Sequence, residues 1–412
     1  MKYALVIPDG AADAPLEQLD GKTPLEAAST PNLDRLAQLG RVGSVATTPP
    51  GMPCGSDVCS MSLVGYDPAK YHTGRAPLEA AALGIELGPE DWVFRVNCVT
   101  AVEGKMQDHS AGAISSAESA QLLRDFADRL DWPGAELVPG VGYRNLLIDR
   151  SGTDWSELAS TPPHDIPGQP LRKHLPAGGP HAVKLRAFIE QSAAMLANHP
   201  VNLTRQEMGE SPATHLWPWG QGSRPTLPSF QDKYGLSGAM ITAVDLLAGI
   251  CNLAGWTRID VPGQTSYHDN DYAAAGRYAV DELDNYDLVC VHIEAPDEAA
   301  HAADPATKVA AIEAIDEHVV GPLAEALRLD HAADPDADED ESVGRMLVLP
   351  DHYTLVDTRK HDPTPPPFLV VGRRIRTVAP KPFTEAGAAA GDLHITHGHE
   401  LMEYFLRSGL RR

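Results

Sequence analysis

The chain lacks several features that would assign it to a structural class at once. Cysteine is scarce, odd in number and without any C-x-x-C pair, so neither a disulfide framework nor a thiolate zinc site is supported. The five thiols are Cys54, Cys59, Cys98, Cys251 and Cys290. No apolar run reaches the roughly eighteen residues of a membrane helix, and Pro8 interrupts the N-terminal apolar run too early for a signal peptide. These absences predict a cytoplasmic protein that does not contact the membrane.

Positive charge is also scarce. Lysine and arginine total 33 against 57 aspartates and glutamates, which gives a net charge of −24. Such a surface repels nucleic acid and anionic membranes, so neither is expected as a partner. An anionic substrate would need a local cluster of arginine and lysine. Part of the acidic excess is local, because the run 334–341 is predicted to be a solvated acidic loop.

What is present suggests a large α/β protein. The 412 residues exceed one small core and suit one large domain with an insertion, or two domains. Short apolar runs at 3–7, 287–293, 346–349 and 368–371 predict buried strands, and apolar residues at helical spacing predict a helix over 307–328. Strands alternating with helices predict a doubly wound, mostly parallel sheet.

The middle of the chain has a different character. From about Gly88 to Pro200 the strands are shorter, the helices are acidic and the connections are rich in proline. This change predicts a smaller α+β domain inserted at 89–199, with a discontinuous larger domain made of 1–88 and 200–412.

Three of the predicted strands end in metal-binding residue types. The first runs into Asp9, the second into Asp297 and His301, and the third into Asp351 and His352. Ligands bind beyond the carboxyl ends of strands in open α/β sheets, so these side chains should meet in one crevice. Oxygen and nitrogen donors without thiolate suit Mn²⁺, Zn²⁺, Mg²⁺ or Fe²⁺, and a pair of such ions can clamp a phosphoryl group.

The segment 51–58 adds a candidate nucleophile. Its small residues form a turn that leads into a helix, which would expose the Ser56 hydroxyl beside backbone N–H groups. A neighbouring metal ion would lower the pKa of that hydroxyl. Cys54 is a competing nucleophile, although nothing nearby in the sequence marks its thiol as activated.

Nine short motifs then point to one family. They are 7–10, 22–27, 30–34, 55–57, 65–68, 73–80, 297–301, 351–352 and 360–361. In this order they resemble the cofactor-independent phosphoglycerate mutases of the archaeal type, within the alkaline phosphatase superfamily. The resemblance runs nearly end to end. It implies an alkaline-phosphatase-like α/β fold in which the insertion caps the substrate.

The resemblance also implies a role for each metal-binding position. Ser56 would take the phosphoryl group, and two divalent ions would be needed, with Mn²⁺ as first choice and Zn²⁺ or Mg²⁺ as alternatives. No bisphosphoglycerate would be required. One ion would be held by Asp9, Ser56, Asp351 and His352, and the other by Asp297, His301 and His361. Spacing alone does not select His361 over the later histidines.

The implied reaction interconverts 2-phosphoglycerate and 3-phosphoglycerate through a phosphoserine. Lys233 resembles the family's lysine near the transferred phosphate. Arg75, Arg95 and Asn97 are candidate contacts for the phosphate or carboxylate of a small phosphorylated substrate. For the two arginines, surface salt bridges are an equally good interpretation.

Other stretches fit a sister branch better, one proposed to include homoserine kinases of threonine synthesis. They are 161–168, 199–202 and 217–222. His164, in the first of them, is a candidate substrate contact or a turn residue. These departures leave the metal ligands intact but put the phosphoryl acceptor in doubt. A metal-dependent phosphatase or phosphodiesterase, with water as acceptor, is a second alternative, and a non-enzymatic binding protein of the same family is a third.

Overall fold

The computed structural model divides the chain into two compact units. It describes residues 1–334, 340, 342–377 and 379–409. Unit 1 comprises Met1–His72 and Leu227–Arg412, and unit 2 comprises Thr73–Thr226. Unit 2 extends beyond the predicted insertion limits of 89 and 199, because segments on both sides of that range pack on its central strand. Most of the predicted acidic loop at 334–341 lies outside the described residues.

The secondary structure is as follows. The strands are β1 (Tyr3–Pro8), β2 (Arg41–Val45), β3 (Trp92–Val102), β4 (Lys105–Asp108), β5 (Ala135–Val138), β6 (Arg144–Asp149), β7 (His215–Ser223), β8 (Gly238–Ile241), β9 (Thr257–Ile259), β10 (Leu288–Ile293), β11 (Arg345–Val348), β12 (Tyr353–Leu355), β13 (Lys360–Asp362), β14 (Pro367–Gly372) and β15 (His394–Ile395). The helices are α1 (Pro24–Ala27), α2 (Pro31–Leu39), α3 (Ser56–Leu63), α4 (Pro68–Tyr71), α5 (Arg75–Ala82), α6 (Ser116–Ala127), α7 (Ala182–Leu196), α8 (Pro200–Glu207), α9 (Phe230–Tyr234), α10 (Asp245–Ala254), α11 (Tyr272–Glu282), α12 (Ala295–His301), α13 (Pro305–Ile315), α14 (Gly321–Ala326), α15 (Glu385–Ala389) and α16 (Glu400–Arg407). None of the described helices combines the length and the apolar character needed to cross a membrane.

Unit 1 is built on a mixed sheet with a parallel centre. Its strand order is β15-β2-β14-β11-β1-β10-β8-β9. From β11 to β9 every neighbour is parallel, whereas β14 is antiparallel to both β11 and β2. The four predicted strands are confirmed as β1, β10, β11 and β14, since each is an apolar run buried along its whole length. The chain therefore has an α/β fold.

The helix predicted over 307–328 is interrupted. The α13 helix passes through a π-helical turn at Asp316–Val320 before α14 begins at Gly321. Asp316 leaves the apolar pattern to cap α2, accepting hydrogen bonds from the backbone N–H of Asn32 (3.1 Å) and Leu33 (2.7 Å). A π-helical turn inserts one residue into the repeat, which periodicity alone does not reveal.

Unit 2 is built on an antiparallel sheet. Its strand order is β4-β3-β6-β5, and β7 also pairs with β3. Helix α7 packs on β7 and helix α6 on β5. The core between them is rich in aromatic residues, including the fully buried Trp155, Trp217 and Phe126. These rings give unit 2 a core separate from the aliphatic core of unit 1.

A buried lysine ties three segments of unit 1 together. Lys308 has no exposed surface, and its Nζ donates to Asp13 Oδ2 (2.8 Å) and to the carbonyl oxygens of Thr354 (2.8 Å) and Ala12 (3.3 Å). Asp13 Oδ2 also accepts from the Val356 N–H at 3.1 Å. The charge pair therefore fixes the loop after β1 against the β12–β13 hairpin.

Lys308→Met should destabilise the fold, because it leaves the buried Asp13 carboxylate without its cation. The expected loss in the free energy of unfolding is about 3–5 kcal/mol, measured by urea denaturation of the full chain. Lys22→Met, at an exposed lysine of the same unit, is the matched control. Equal unfolding free energies for the two variants would contradict this role for Lys308.

Candidate metal centre and active site

The carboxyl ends of three neighbouring strands meet at one edge of the unit 1 sheet. Strand β1 lies between β11 and β10 and is parallel to both. Asp9 follows β1, Asp297 lies in the first turn of α12 just after β10, and Asp351 follows β11. The backbone N–H of Asp9 donates to the Ile293 carbonyl at 2.9 Å, which holds the first two ends together.

Asp9, Asp351 and His352 form a fully buried cluster. Their ligand atoms all lie within 4.8 Å of one another. His352 Nε2 lies 3.2 Å from Asp351 Oδ2 and 3.7 Å from Asp9 Oδ1. Ser56, the first residue of α3, places its Oγ 3.2 Å from the same His352 nitrogen. The structure thus brings together the four residues expected to hold one ion.

Asp297, His301 and His361 form a second, more open cluster beside the first. His301 Nε2 lies 3.2 Å from Asp297 Oδ2 and 3.1 Å from His361 Nε2. His361 Nε2 lies 3.6 Å from Asp297 Oδ1. The rings of His352 and His361 stack at 4.0 Å between centroids, which joins the two clusters. All seven predicted ligand residues therefore lie in one connected group.

Sequence reasoning missed three polar neighbours of these clusters. His292 Nε2 lies 2.8 Å from Asp9 Oδ2 and 3.4 Å from Glu294 Oε2. The Thr354 hydroxyl donates to Asp297 Oδ1 at 2.5 Å and lies 3.1 Å from His352 Nδ1. The available signal was a histidine at the end of the apolar run of β10, where a polar side chain needs a buried partner.

Burial dominates the electrostatics of the first cluster. It raises the pKa of Asp9 well above its usual range, with the nearby Asp351 adding to the effect. It likewise raises the pKa of Glu294 to about 8 and lowers that of His292 to about 4, so His292 is neutral. Both effects arise because a low-dielectric surrounding disfavours the charged form.

Asp297 behaves in the opposite way. Burial would raise the pKa of this carboxyl as well, but hydrogen bonds with His301 and His361 outweigh it and bring the pKa well below its usual range. Its hydrogen bond to Asp297 is the main reason why the pKa of His301 is raised. Two imidazoles therefore already compensate the charge of this carboxylate.

The first cluster fits a divalent cation. Within the described residues, Asp9 Oδ1 and Asp351 Oδ2 are buried and have no hydrogen-bond partner. A buried carboxylate oxygen without a partner is costly, and a cation would supply the missing interaction. The donors are carboxylate oxygens, a hydroxyl and one imidazole nitrogen, which suit Mn²⁺, Zn²⁺ or Mg²⁺.

The thiol of Cys54, the competing nucleophile, has a lowered pKa. A hydrogen bond with Cys59 is the largest cause that lowers the pKa of this thiol to about 7. The carbonyl of Cys54 faces His361 Nδ1 at 3.4 Å. The Cys54 thiol therefore contacts Cys59 of α3, whereas the Ser56 hydroxyl contacts the predicted metal ligand His352.

The predicted substrate contacts of unit 2 also lie together. Glu79 pairs with both arginines, at 3.5 Å from Arg75 Nε and 3.1 Å from Arg95 Nε. The Arg95 guanidinium stacks 4.5 Å from the Trp219 ring, and the indole N–H donates to Asn97 Oδ1 at 2.9 Å. The fourth predicted contact is His164, whose ring centroid lies 5.1 Å from that of Trp219.

Lys233 lies in unit 1, in α9, with neighbours that the sequence did not indicate. Its ammonium donates to the Gly65 carbonyl and lies 4.8 Å from the Tyr66 ring and 5.0 Å from the Tyr234 ring. Burial lowers the pKa of this lysine. These contacts do not join Lys233 to Ser56, so its role near a phosphate stays a prediction.

The chain has an α/β fold, and neighbouring strand ends carry buried oxygen and nitrogen donors. These features define a candidate metal-dependent enzyme. Comparison with known proteins narrows this class. The family model described as 2,3-bisphosphoglycerate-independent phosphoglycerate mutase matches residues 37–202. The protein named 2,3-bisphosphoglycerate-independent phosphoglycerate mutase 2 from Methanothermobacter thermautotrophicus is 44% identical over 411 residues, covering 100% of this chain and 98% of that relative.

Solved structures agree with this match. A cofactor-independent phosphoglycerate mutase from Thermoplasma acidophilum has 27% identity and a TM-score of 0.64, with 99% of each chain covered. A protein from Pyrococcus horikoshii has 28% identity and a TM-score of 0.80, covering 98% of this chain and 96% of that chain. The chain therefore belongs to the 2,3-bisphosphoglycerate-independent phosphoglycerate mutase family, which confirms the predicted resemblance.

The raised pKa of Glu294 predicts a pH dependence of stability in metal-free protein. The folded pKa of about 8 exceeds the usual 4.5, so the stabilising contribution is present below pH 4.5 and is lost as the pH rises through about 8. We expect the free energy of unfolding of chelator-treated protein to fall across this interval, and Glu294→Gln to reduce the fall. Urea titrations at several pH values measure both effects.

Glu317→Gln is the control for this experiment, because the Glu317 side chain is 77% exposed. It should leave the pH dependence unchanged. If Glu294→Gln and Glu317→Gln gave the same slope of unfolding free energy against pH, the buried Glu294 carboxyl would not be its source.

Proposed function

We propose that the chain interconverts 2-phosphoglycerate and 3-phosphoglycerate without bisphosphoglycerate. The relatives that carry this activity in their names align over nearly the whole chain. The observation that carries the proposal is the placement of the Ser56 hydroxyl, 3.2 Å from His352 and beside a buried pair of aspartates. This arrangement offers a nucleophile next to a cation site.

Two divalent cations belong to this proposal, with Mn²⁺ as first choice. Asp9, Ser56, Asp351 and His352 would hold one ion, and Asp297, His301 and His361 the other. Bound there, the ions would neutralise phosphoryl charge and lower the pKa of the Ser56 hydroxyl. The partnerless oxygens of Asp9 and Asp351 support the first site, and the short contacts among Asp297, His301 and His361 support the second.

Ser56 would carry the phosphoryl group between the two hydroxyls of glycerate. In the first step Ser56 Oγ bonds to phosphorus, the bond from phosphorus to one glycerate oxygen breaks, and that oxygen takes up a proton. In the second step the oxygen of the other glycerate hydroxyl bonds to phosphorus, the bond from phosphorus to Ser56 Oγ breaks, and the proton of the attacking hydroxyl passes to Ser56. No group is gained or lost overall, so the reaction needs no external phosphate donor.

Arg75, Arg95, Asn97 and His164 are proposed to bind the phosphate or carboxylate of the substrate, which makes unit 2 the substrate-capping domain. Two guanidinium groups share the single carboxylate of Glu79, which leaves positive charge available to an anion. Arg95 is only 5% exposed, so its charge is poorly screened by solvent. Lys233 is proposed as a further phosphate contact. A cytoplasmic location accords with such a small, soluble substrate.

Metal-loaded protein should interconvert the two phosphoglycerates without added bisphosphoglycerate, and a chelator should abolish the activity because the carboxylate cluster alone cannot stabilise phosphoryl charge. A coupled enolase assay measures the product, and a parallel assay measures free phosphate. Consumption of ATP with homoserine, in place of mutase activity, would favour the homoserine kinase branch. Release of phosphate from either phosphoglycerate would favour a phosphatase.

Ser56→Ala should abolish the mutase activity and the transfer of label from ³²P-phosphoglycerate to protein, because the phosphoryl acceptor is lost. Ser60→Ala is the matched control, since Ser60 is a buried serine of the same helix whose hydroxyl has no hydrogen-bond partner within the described residues. It should retain both signals. Labelling that persists in Ser56→Ala would assign the phosphoenzyme to another residue, with Cys54 the first to examine.

A further inference from the structure

A chain of polar side chains runs across three strand ends and stops at Asp9. Thr242 follows β8, His292 lies near the end of β10, and Asp9 follows β1. These strands are neighbours in the sheet, in the order β1-β10-β8. All three side chains are essentially inaccessible to solvent, at 0% for Asp9 and 1% for the other two. Burying polar side chains costs free energy unless they are hydrogen-bonded, so these three groups should be bonded to one another or to a ligand.

The contact distances along the chain are compatible with one direction of hydrogen bonding, although distances alone do not fix the tautomer of His292. Thr242 Oγ1 accepts from the Val244 backbone N–H at 3.1 Å, so its own hydrogen is free to point at His292 Nδ1, 3.0 Å away. A neutral imidazole that accepts at Nδ1 carries its hydrogen on Nε2. That hydrogen points at Asp9 Oδ2, 2.8 Å away. In this arrangement Asp9 Oδ2 is the nearer acceptor for His292 Nε2, and Glu294 Oε2 lies farther away at 3.4 Å.

This direction of hydrogen bonding separates the two oxygens of Asp9. Oδ2 is occupied by His292, whereas Oδ1 is buried without a hydrogen-bond partner among the described residues and faces His352 Nε2 at 3.7 Å. We propose that His292, oriented by Thr242, is a positioning residue that fixes Asp9 so that Oδ1 alone is presented to a divalent cation. This inference rests on the proposed ion at Asp9, Asp351 and His352.

A direct ligand role for His292 is the competing assignment, because Asp9, His292 and Glu294 also bring ligand atoms within 4.8 Å of one another. One nitrogen cannot both donate a hydrogen and bind a cation. Nε2 is at hydrogen-bond distance from Asp9, and Nδ1 faces a hydroxyl. Both ring nitrogens are thus used, which favours the positioning role. Outer partners of this kind orient the ligands of a metal and raise its affinity.

The test measures Mn²⁺ binding to the full chain, with Mn²⁺ alone as the probe. Chelator competition gives the affinity of each ion, and metal analysis at saturation gives the stoichiometry. His292→Leu removes both hydrogen bonds, and Thr242→Val removes the hydroxyl at nearly constant volume. We expect His292→Leu to weaken one of the two ions by about 10–100-fold, with the other ion and the saturating stoichiometry unchanged. Thr242→Val should have a smaller effect in the same direction.

Conservative and matched variants separate positioning from folding. His292→Gln keeps a donor near Asp9 and should bind Mn²⁺ more tightly than His292→Leu does. Thr242→Ser keeps the hydroxyl and should bind Mn²⁺ more tightly than Thr242→Val does. His199→Gln is the matched control, because His199 is a buried histidine of unit 2 whose Nε2 lies 2.8 Å from a carboxylate oxygen of Asp125. It should leave both Mn²⁺ affinities unchanged.

Three results would overturn the inference. Unchanged Mn²⁺ affinity in His292→Leu and Thr242→Val would show that the chain does not position Asp9. Loss of one nitrogen ligand from bound Mn²⁺ in pulsed EPR of His292→Leu would make His292 a ligand. Failure of the unmodified protein to bind Mn²⁺ would remove the proposed centre itself, and this outcome is distinguishable because it appears before any substitution is made.

Discussion

The burial of several carboxylates at adjoining strand ends is the constraint that the rest of unit 1 satisfies. Asp9, Asp297 and Asp351 are each at most 4% exposed, and Glu294 lies beside them. Like charges in a low-dielectric surrounding repel strongly and lose their hydration. Only a parallel arrangement of β1, β10 and β11 brings these ends to one edge. The sheet therefore concentrates the free-energy cost of burying carboxylates at one edge, where nearby imidazoles and hydroxyls offset part of it.

The buried lysine Lys308 also contributes to the network of hydrogen bonds that stabilises these buried carboxylates. Its ammonium binds the Thr354 carbonyl, while the Thr354 hydroxyl donates to Asp297. Thr354 also pairs with His361 across the β12–β13 hairpin. One buried lysine thus fixes the backbone of Thr354, whose hydroxyl contacts Asp297 and whose strand partner is His361. The positions of these two proposed ligands therefore depend on a buried charge outside the cluster.

The sequence predicts those residues of the candidate site that directly follow a recognisable strand. Asp9, Asp297 and Asp351 were predictable because each follows an apolar run, and parallel strands align their ends. His361 was not, because it arrives on a hairpin whose return toward the sheet leaves no periodic signal. His292 was missed because a single histidine in a buried strand looks like part of the apolar run. Unit 2 is wider than the predicted insertion of 89–199 because α5 and β7 pack on β3, which is non-local packing that composition does not indicate.

The two clusters differ in how much of their charge the protein already compensates. In the second cluster two imidazoles lower the pKa of Asp297, and His301 and His361 keep 37% and 24% of their side-chain surface exposed. In the first cluster Asp9 and Asp351 are fully buried, and each has an oxygen without a hydrogen-bond partner in the described part of the chain. The pKa of Asp9 is raised whereas that of Asp297 is lowered, because the neighbours of the two carboxyls differ. In the second cluster the imidazoles already offset much of the cost of burying the carboxylate. A cation would therefore stabilise the first cluster more than the second.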